Sequence, residues 1–260
     1  MASLLAVLGH NIDFRRQRRI AYRRWMAVFD NHGDEQNDKA VGVMFEFKKY
    51  WRPDIVIHGG DNFDFRALRK GASEQDWRED SSTDFEMGLE FLEKLRPNYF
   101  LRGNHDERMW DLLKSDDGKL KQFAKDQIAK IHASLHGAMV LPYDKRRGVL
   151  QIGKMRFIHG YSAGMNATKI AAQTYGAVML GHTHTIDSFV ISRLEREVGR
   201  TCGCLCKLDM DYNRSHINSL RHENGFVYGV ILPNGLYHAY QAMPIKGHWL
   251  FPTEMREVTA

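Results

Sequence analysis

The sequence predicts an α/β fold in which two sheets pack together and polar side chains gather at the carboxyl ends of parallel strands. Three observations carry this expectation. From Trp25 onward short apolar runs alternate with amphipathic segments, the runs repeatedly end in Gly, Asp, Asn or His, and from about Arg193 the pattern changes to shorter alternating stretches. A strand, helix, strand, helix order implies parallel pairing with helices outside, and in open α/β sheets ligands lie beyond the carboxyl ends of the strands.

Taken in chain order, Met1 to Leu8 is apolar but lacks the basic start and small-residue cleavage site of a secretion leader. Arg15, Arg16, Arg18, Arg19, Arg23 and Arg24 crowd together, so residues 1–24 read as a basic extension ahead of one domain over 25–260. The run Trp25 to Phe29 ends in Asp30-Asn31-His32-Gly33, after which Val41, Met44, Phe45 and Tyr50 recur at helical spacing until Pro53 stops them. Ile55 to Ile57 leads into His58-Gly59-Gly60-Asp61. Asp76 to Asp84 reads as an exposed loop, and Phe85, Leu89, Leu92 and Leu95 as a helix ended by Pro97. Tyr99 to Leu101 leads to Arg102-Gly103-Asn104-His105, Met155 to Ile158 to His159-Gly160, and Ala177 to Leu180 to Gly181-His182-Thr183-His184. Finally, Phe226 to Leu232 and Leu236 to Tyr240 flank an Asn234-Gly235 turn, the signature of an antiparallel hairpin.

Composition narrows the function classes. At 260 residues, 43% hydrophobic and 27% charged, the chain is too apolar and too evenly charged for a disordered polymer. It has no run of about 18 apolar residues, so no membrane span is expected. Cys202, Cys204 and Cys206 cannot build a disulfide framework, which fits a reducing, cytoplasmic setting. Alternating as they do, they would share one face of a strand, either as small buried apolar residues or as a redox or metal feature. The net charge of +5 is concentrated in the arginine cluster Arg15 to Arg24, which could track a nucleic-acid backbone or serve as a solubilising arm. His58 reads as a core histidine. His132, His136, His216, His222, His238 and His248 match no motif.

Five strand ends together supply Asp30, His32, Asp61, Asn104, His105, His159, His182 and His184, a set without thiolates. Such donors suit a pair of divalent cations such as manganese, with iron, zinc or nickel as alternatives, better than a structural zinc site. Paired cations stabilise charge on the attacking and leaving oxygens of a phosphoryl group and make hydroxide available from bound water near neutral pH.

In order, Asp30-x-His32, Gly60-Asp61-x-x-Asp64, Gly103-Asn104-His105-Asp106, His159-Gly160 and Gly181-His182-x-His184 resemble the five signatures of calcineurin-like metallophosphoesterases. The resemblance implies a four-layer α/β/β/α sandwich of two mixed sheets with a dinuclear site at the strand ends. By position, Asp30, His32 and His184 would hold one metal, Asn104, His159 and His182 the other, and Asp61 would bridge them. A hydroxide between the metals would attack, and His105, oriented by Asp64 rather than by Asp106, would serve as general acid. Gly9-His10-Asn11-Ile12-Asp13 is a decoy for the first signature, since it loses both ligands. Arg66, Arg102 and Arg108 are candidates for substrate phosphate or for surface ion pairs. Phe65 stands where protein phosphatases of the family carry an Arg after the second acid, which turns the expectation toward phosphodiesters of nucleic-acid or nucleotide type. A phosphomonoesterase and a catalytically silent nucleic-acid-binding protein are the competing readings. The chain also looks like the compact phage and bacterial members, and its oligomeric state stays open.

Overall fold

A computed structural model describes residues 21–74, 81–191, 197–209 and 221–251. Arg15, Arg16, Arg18 and Arg19, the Gly9 to Asp13 decoy, and His216 lie outside these residues. The first strand, β1 (Arg23–Val28), takes in the last two arginines of the cluster. Arg23 and Arg24 pair with Ile231 and Val230, and the Arg24 guanidinium donates to the Trp51 carbonyl at 3.0 Å. These two arginines are therefore part of a core sheet.

Both predicted helices form. α1 (Asp38–Trp51) starts where the Asn37 side chain accepts the Ala40 N–H, and α2 (Ser82–Leu95) ends at a left-handed Arg96 just before Pro97. β2 (Ile55–His58) lies between them. Asp84, expected in an exposed loop, instead lies in the first turn of α2 and is buried. Three helices were not foreseen: α3 (Asn104–Asp111), α4 (Gly118–Ser134) and α5 (Ala167–Tyr175). α3 escapes a periodicity reading because its first turn is the Asn104-His105-Asp106 motif itself.

The remaining strands are β3 (Tyr99–Leu101), β4 (Met139–Leu141), β5 (Leu150–Ile152), β6 (Met155–Ile158), β7 (Val178–Leu180), β8 (Ile186–Ile191), β9 (Glu197–Cys202), β10 (Phe226–Ile231) and β11 (Tyr237–Ala242), with a small separate pair, β12 (Pro244–Ile245) and β13 (His248–Trp249). One mixed sheet has the order β11-β10-β1-β2-β3-β4 and the other β5-β6-β7-β9-β8. β1 to β4 run parallel, as do β6, β7 and β9. The predicted antiparallel region is thus divided: β8 and β9 close the second sheet, while the β10–β11 hairpin joins the first beside β1. β10 is paired along both edges, and both of its faces are covered too, Val227 and Ile231 by the core between the sheets and Phe226 and Tyr228 by the α1 side.

Trp25, Ile57 and Leu101 from the first sheet interdigitate with Met155, Phe157 and Met179 from the second. Trp25 and Phe157 meet edge to face at 5.5 Å between ring centroids. The outer face of the first sheet is covered by Val41, Met44 and Phe47 of α1, and that of the second by Ala171 of α5. Two sheets flanked by helices are therefore observed, as expected. No helix among the described residues is long and apolar enough to cross a membrane. Since Phe157 is fully buried where the sheets meet, Phe157→Ala should lower the unfolding free energy by about 3–5 kcal/mol. A urea titration followed by tryptophan fluorescence checks this.

Candidate metal centre

Adjacent strands of each sheet deliver the polar groups to one mouth. β1 leads to Asp30 and His32, β2 to Asp61, β3 to Asn104 and His105, β6 to His159, and β7 to His182 and His184. The loops after β1 and β2 are zipped together, with the backbone N–H groups of Asp30, His32 and Gly33 donating to the carbonyls of Gly60, Asp61 and Asn62. Across the second sheet the Gly181 N–H likewise donates to the His159 carbonyl.

Among the described residues ten non-glycine positions adopt positive φ, and five of them are Asp30, His32, Asp61, His182 and His184. Left-handed backbone costs such residues about 1–3 kcal/mol each and persists only where the surroundings enforce it. Here it turns each side chain inward directly at the strand end. The approach also excludes side chains: a Cβ on Gly103 would lie 2.0 Å from Asp61 Oδ1, and one on Gly181 would lie 2.4 Å from Asp30 Oδ2.

The eight candidates from the strand ends meet at one place. His159 Nε2 is 3.2 Å from Asp61 Oδ2 and 3.1 Å from Asn104 Oδ1. His32 Nε2 is 3.2 Å from His184 Nε2 and 3.9 Å from Asp61 Oδ2. Asp30 Oδ2 accepts the His182 N–H at 2.8 Å, while Asp30 Oδ1 lies 3.8 Å from His184 Nε2 and 3.9 Å from His159 Nδ1. Three groups have ligand atoms close enough to hold an ion: His32, Asp61 and His105; Asp61, His159 and His182; and His32, His184 and Cys206.

Charge in this site is set by burial against neighbours. Burial pushes the Asp30 carboxyl up to about 8, although His159 opposes it. For Asp61 burial acts in the same sense, but His159 and His105 overcome it and hold the carboxyl well below the usual range. Burial lowers His182 to about 4 and, with His32 adding to it, holds His184 well below the usual histidine range, which leaves both imidazoles neutral with a lone pair to offer. Asp30 Oδ1 is buried with no hydrogen-bond partner. An orphaned acid oxygen beside the neutral imidazole of His184 is a donor pair that fits a cation, which would take the place of the Asp30 proton.

Around this set, carboxylates fix the backbone. Asp106 accepts the N–H groups of Gly103, Asp61, Asn62 and Phe63 at 2.8–3.1 Å. Asp84 accepts those of Asp64 and Phe65 at 2.9 and 2.8 Å. Asp64 Oδ1 lies 2.7 Å from His105 Nδ1 and 3.3 Å from His32 Nδ1, whereas Asp106 makes no such contact with His105. All three candidate arginines are engaged by the protein. Arg66 Nε donates to Asp64 Oδ2 and its guanidinium pairs with Asp34. Arg108 donates to the Asp64 and Phe65 carbonyls. Arg102 faces Glu107 and lies over Trp110.

Other neighbours of the site carry no sequence motif. Cys206 Sγ is 3.7 Å from His184 Nδ1. Cys202 is buried between the sheets, while Cys204 and Cys206 form a separate cluster, so the three cysteines do not share one face. The chain leaves the strand at Cys202, and isolated bridges then take Cys204 to Asn224 and Cys206 to Gln36. His58, a core histidine as expected, holds Asn31 Oδ1 at 2.8 Å.

A family model described as calcineurin-like phosphoesterase matches residues 24–185, more than half of the chain. Among solved structures, a metallophosphoesterase from Sphaerobacter thermophilus is 16% identical, with 85% of this chain and 88% of that chain covered and a TM-score of 0.42. Vacuolar Protein Sorting 29 from Cryptosporidium parvum is 12% identical, with 88% and 95% covered and a TM-score of 0.44. Yfce, a phosphoesterase from E. coli, is 15% identical, with 85% and 98% covered and a TM-score of 0.37. No curated protein matches the chain.

Burial pushes the Asp84 carboxyl up to about 7 against the pull of its two N–H donors. A carboxyl raised in the folded state stabilises fully below its unfolded value of about 3.9, and that contribution is lost as the pH rises to about 7. Asp84→Ala should therefore destabilise the protein more at pH 5 than at pH 8, as read from urea midpoints at the two pH values.

Proposed function

The chain belongs to the calcineurin-like phosphoesterase family, and from that premise we propose that it hydrolyses phosphodiesters with two divalent cations. Asp30, His32 and His184 would hold one cation, Asn104, His159 and His182 the other, and Asp61 would stand between them. The observation that carries this reading is the Asp61 carboxylate, whose Oδ2 lies within 3.9 Å of ring nitrogens of His32 and His105 and within 3.2 Å of His159. Manganese suits the mixed carboxylate, carboxamide and imidazole set, with iron, zinc and nickel also compatible. When bound, such cations supply a water-derived nucleophile near neutral pH and neutralise developing charge on the phosphoryl oxygens.

The protein's own part is orientation and proton transfer. Asp64 takes one side of the His105 ring, with Nδ1 at 2.7 Å from Oδ1 and 2.9 Å from the Asp64 carbonyl. The other ring nitrogen, Nε2, then faces the cleft on the Asp61 side. Burial works against a proton on His105, but Asp61 and the Asp64 hydrogen bond outweigh it and hold the proton above the ordinary histidine range. His105 is thereby placed to protonate the leaving oxygen. Arg66 and Arg108 support this by fixing the side chain and the carbonyl of Asp64, and we assign them to positioning.

The diester reading is supported at Phe65. It is buried and stacks on Phe63 at 4.9 Å between centroids, so no guanidinium stands at that position to grip a terminal phosphate. Three buried, free cysteines suit the reducing interior of a cell.

Protein loaded with manganese should cleave a chromogenic phosphodiester faster than the matching monoester. Asp61→Ala and His105→Ala should each lower turnover about 10²-fold or more. Metal analysis separates their roles: His105→Ala should keep about two ions per chain, and Asp61→Ala should lose them. Unchanged turnover in both variants would remove the mechanism, and preference for the monoester would remove the diester assignment.

A further inference from the structure

The turn between β4 and β5 crosses the mouth from the edge of one sheet to the edge of the other. It leaves the first sheet beside Arg102, whose N–H donates to the Leu141 carbonyl, and so begins next to the Asn104-His105 strand end. Its first aromatic residue, Tyr143, stands edge-on to His159 with ring centroids 5.8 Å apart, and 5.0 Å from the ring of Tyr161. Lys145, Arg146 and Arg147 follow, all exposed.

This turn is held from several sides. Asp144 Oδ1 accepts the N–H groups of Arg146 and Arg147 at 3.0 and 2.7 Å, and the Asp144 carbonyl accepts the Gly148 N–H at 2.7 Å. The Tyr161 hydroxyl donates to the Asp144 carbonyl at 2.7 Å, and the Tyr175 hydroxyl to the Lys145 carbonyl at 3.0 Å. The Asp144 carboxylate is thus largely committed to the backbone. Its one ion pair, with Arg147 at 3.6 Å, is exposed and therefore weak. Among the described residues neither Lys145 nor Arg146 has an acidic partner, and nearby Glu107 is taken by Arg102. The result is three cations on a fixed backbone, presented beside two tyrosine rings at the entrance to the site.

We propose that this turn is a docking rim for a single-stranded nucleic acid, with Lys145, Arg146 and Arg147 on phosphates flanking the scissile one and Tyr143 stacking on a base. The proposal rests on the phosphodiester reading and names the substrate class for it. A repeating row of phosphates matches a row of exposed cations, and release of counterions drives the association. The tyrosine pair favours a nucleic acid over an acidic peptide, because unstacked bases offer faces to aromatic rings and a phosphorylated side chain does not. A fixed turn also holds the strand without first having to order its own backbone, which lowers the entropy lost on binding.

The test is fluorescence anisotropy of manganese-loaded full-length protein with a labelled phosphorothioate oligothymidylate of roughly twelve nucleotides. Binding is read without turnover, so this result and a failure of hydrolysis are independent. The triple variant K145Q, R146Q, R147Q should bind about 10- to 100-fold more weakly at low salt, with the slope of log affinity against log salt reduced by about 2. Tyr143→Ala should lose about tenfold with no change in slope. The charge-retaining pair R146K, R147K should keep both affinity and slope, which separates loss of charge from damage to the turn. Wild-type affinity and slope in the triple variant would overturn the proposal. So would equally strong competition by a phosphoserine peptide of the same charge, which would assign the rim to a phosphoprotein.

Discussion

The carboxylate of Asp61 is shared among more neighbours than any neutral group could satisfy. Its Oδ1 accepts the His105 N–H at 2.8 Å, and its Oδ2 faces ring nitrogens of His32, His105 and His159. Taking such a charge out of water is unfavourable unless opposite charge surrounds it. Both sheets contribute to that surrounding, since His32 and His105 follow strands of the first and His159 follows a strand of the second. The packing of the two sheets and the electrostatics of the cleft are consequently one problem. Interdigitation of Trp25 with Phe157 sets the spacing at which the two sets of strand ends meet.

Around Asp61 the backbone itself is held in unfavourable shapes. Left-handed Asp30, His32, Asp61, His182 and His184 would relax if freed. At Asp61, Asp106 and Asp84 prevent that by binding six backbone N–H groups between them, all in the turns that carry Asp61, Asp64 and Asn104. Such buried carboxylates exchange stability for geometry, as is common where a site must be organised before its ligand arrives. The same division of labour extends to the arginines. Arg66 and Arg108 brace Asp64, which in turn sets the plane of His105.

Much of this was readable in the amino-acid order because strand ends in this fold bear chemistry. Asp, Asn and His tolerate left-handed backbone better than other side chains, so a strand that ends in one of them, beside Gly, marks both a sharp turn and a donor. The strands ending at Asp30, Asp61 and His182 stand out for that reason, and those ending at Asn104 and His159 by the adjoining Gly103 and Gly160. What escaped notice depends on tertiary return of the chain. Cys206 reaches His184 only because the segment after β9 doubles back to pair with Gln36. Asp84 looks like a loop acid until the helix that starts at Ser82 turns it toward the Asp64 backbone. The division of the late antiparallel stretches between two sheets was equally hidden, because alternation reports that a strand is covered and not which sheet covers it.

The position of β1 in its sheet has a consequence for how the chain is made. One neighbour, β2, follows shortly, but the other, β10, joins Arg23 to Ile231 from near the opposite end of the described chain. During synthesis the hydrogen-bonding edge of β1 on that side stays open until β10 leaves the ribosome, and an apolar strand with a bare edge invites pairing with other chains. Closure of this ladder is therefore a late, long-range event, of the kind that slows folding. Nascent chains halted before Phe226 would present that edge to chaperones or to one another.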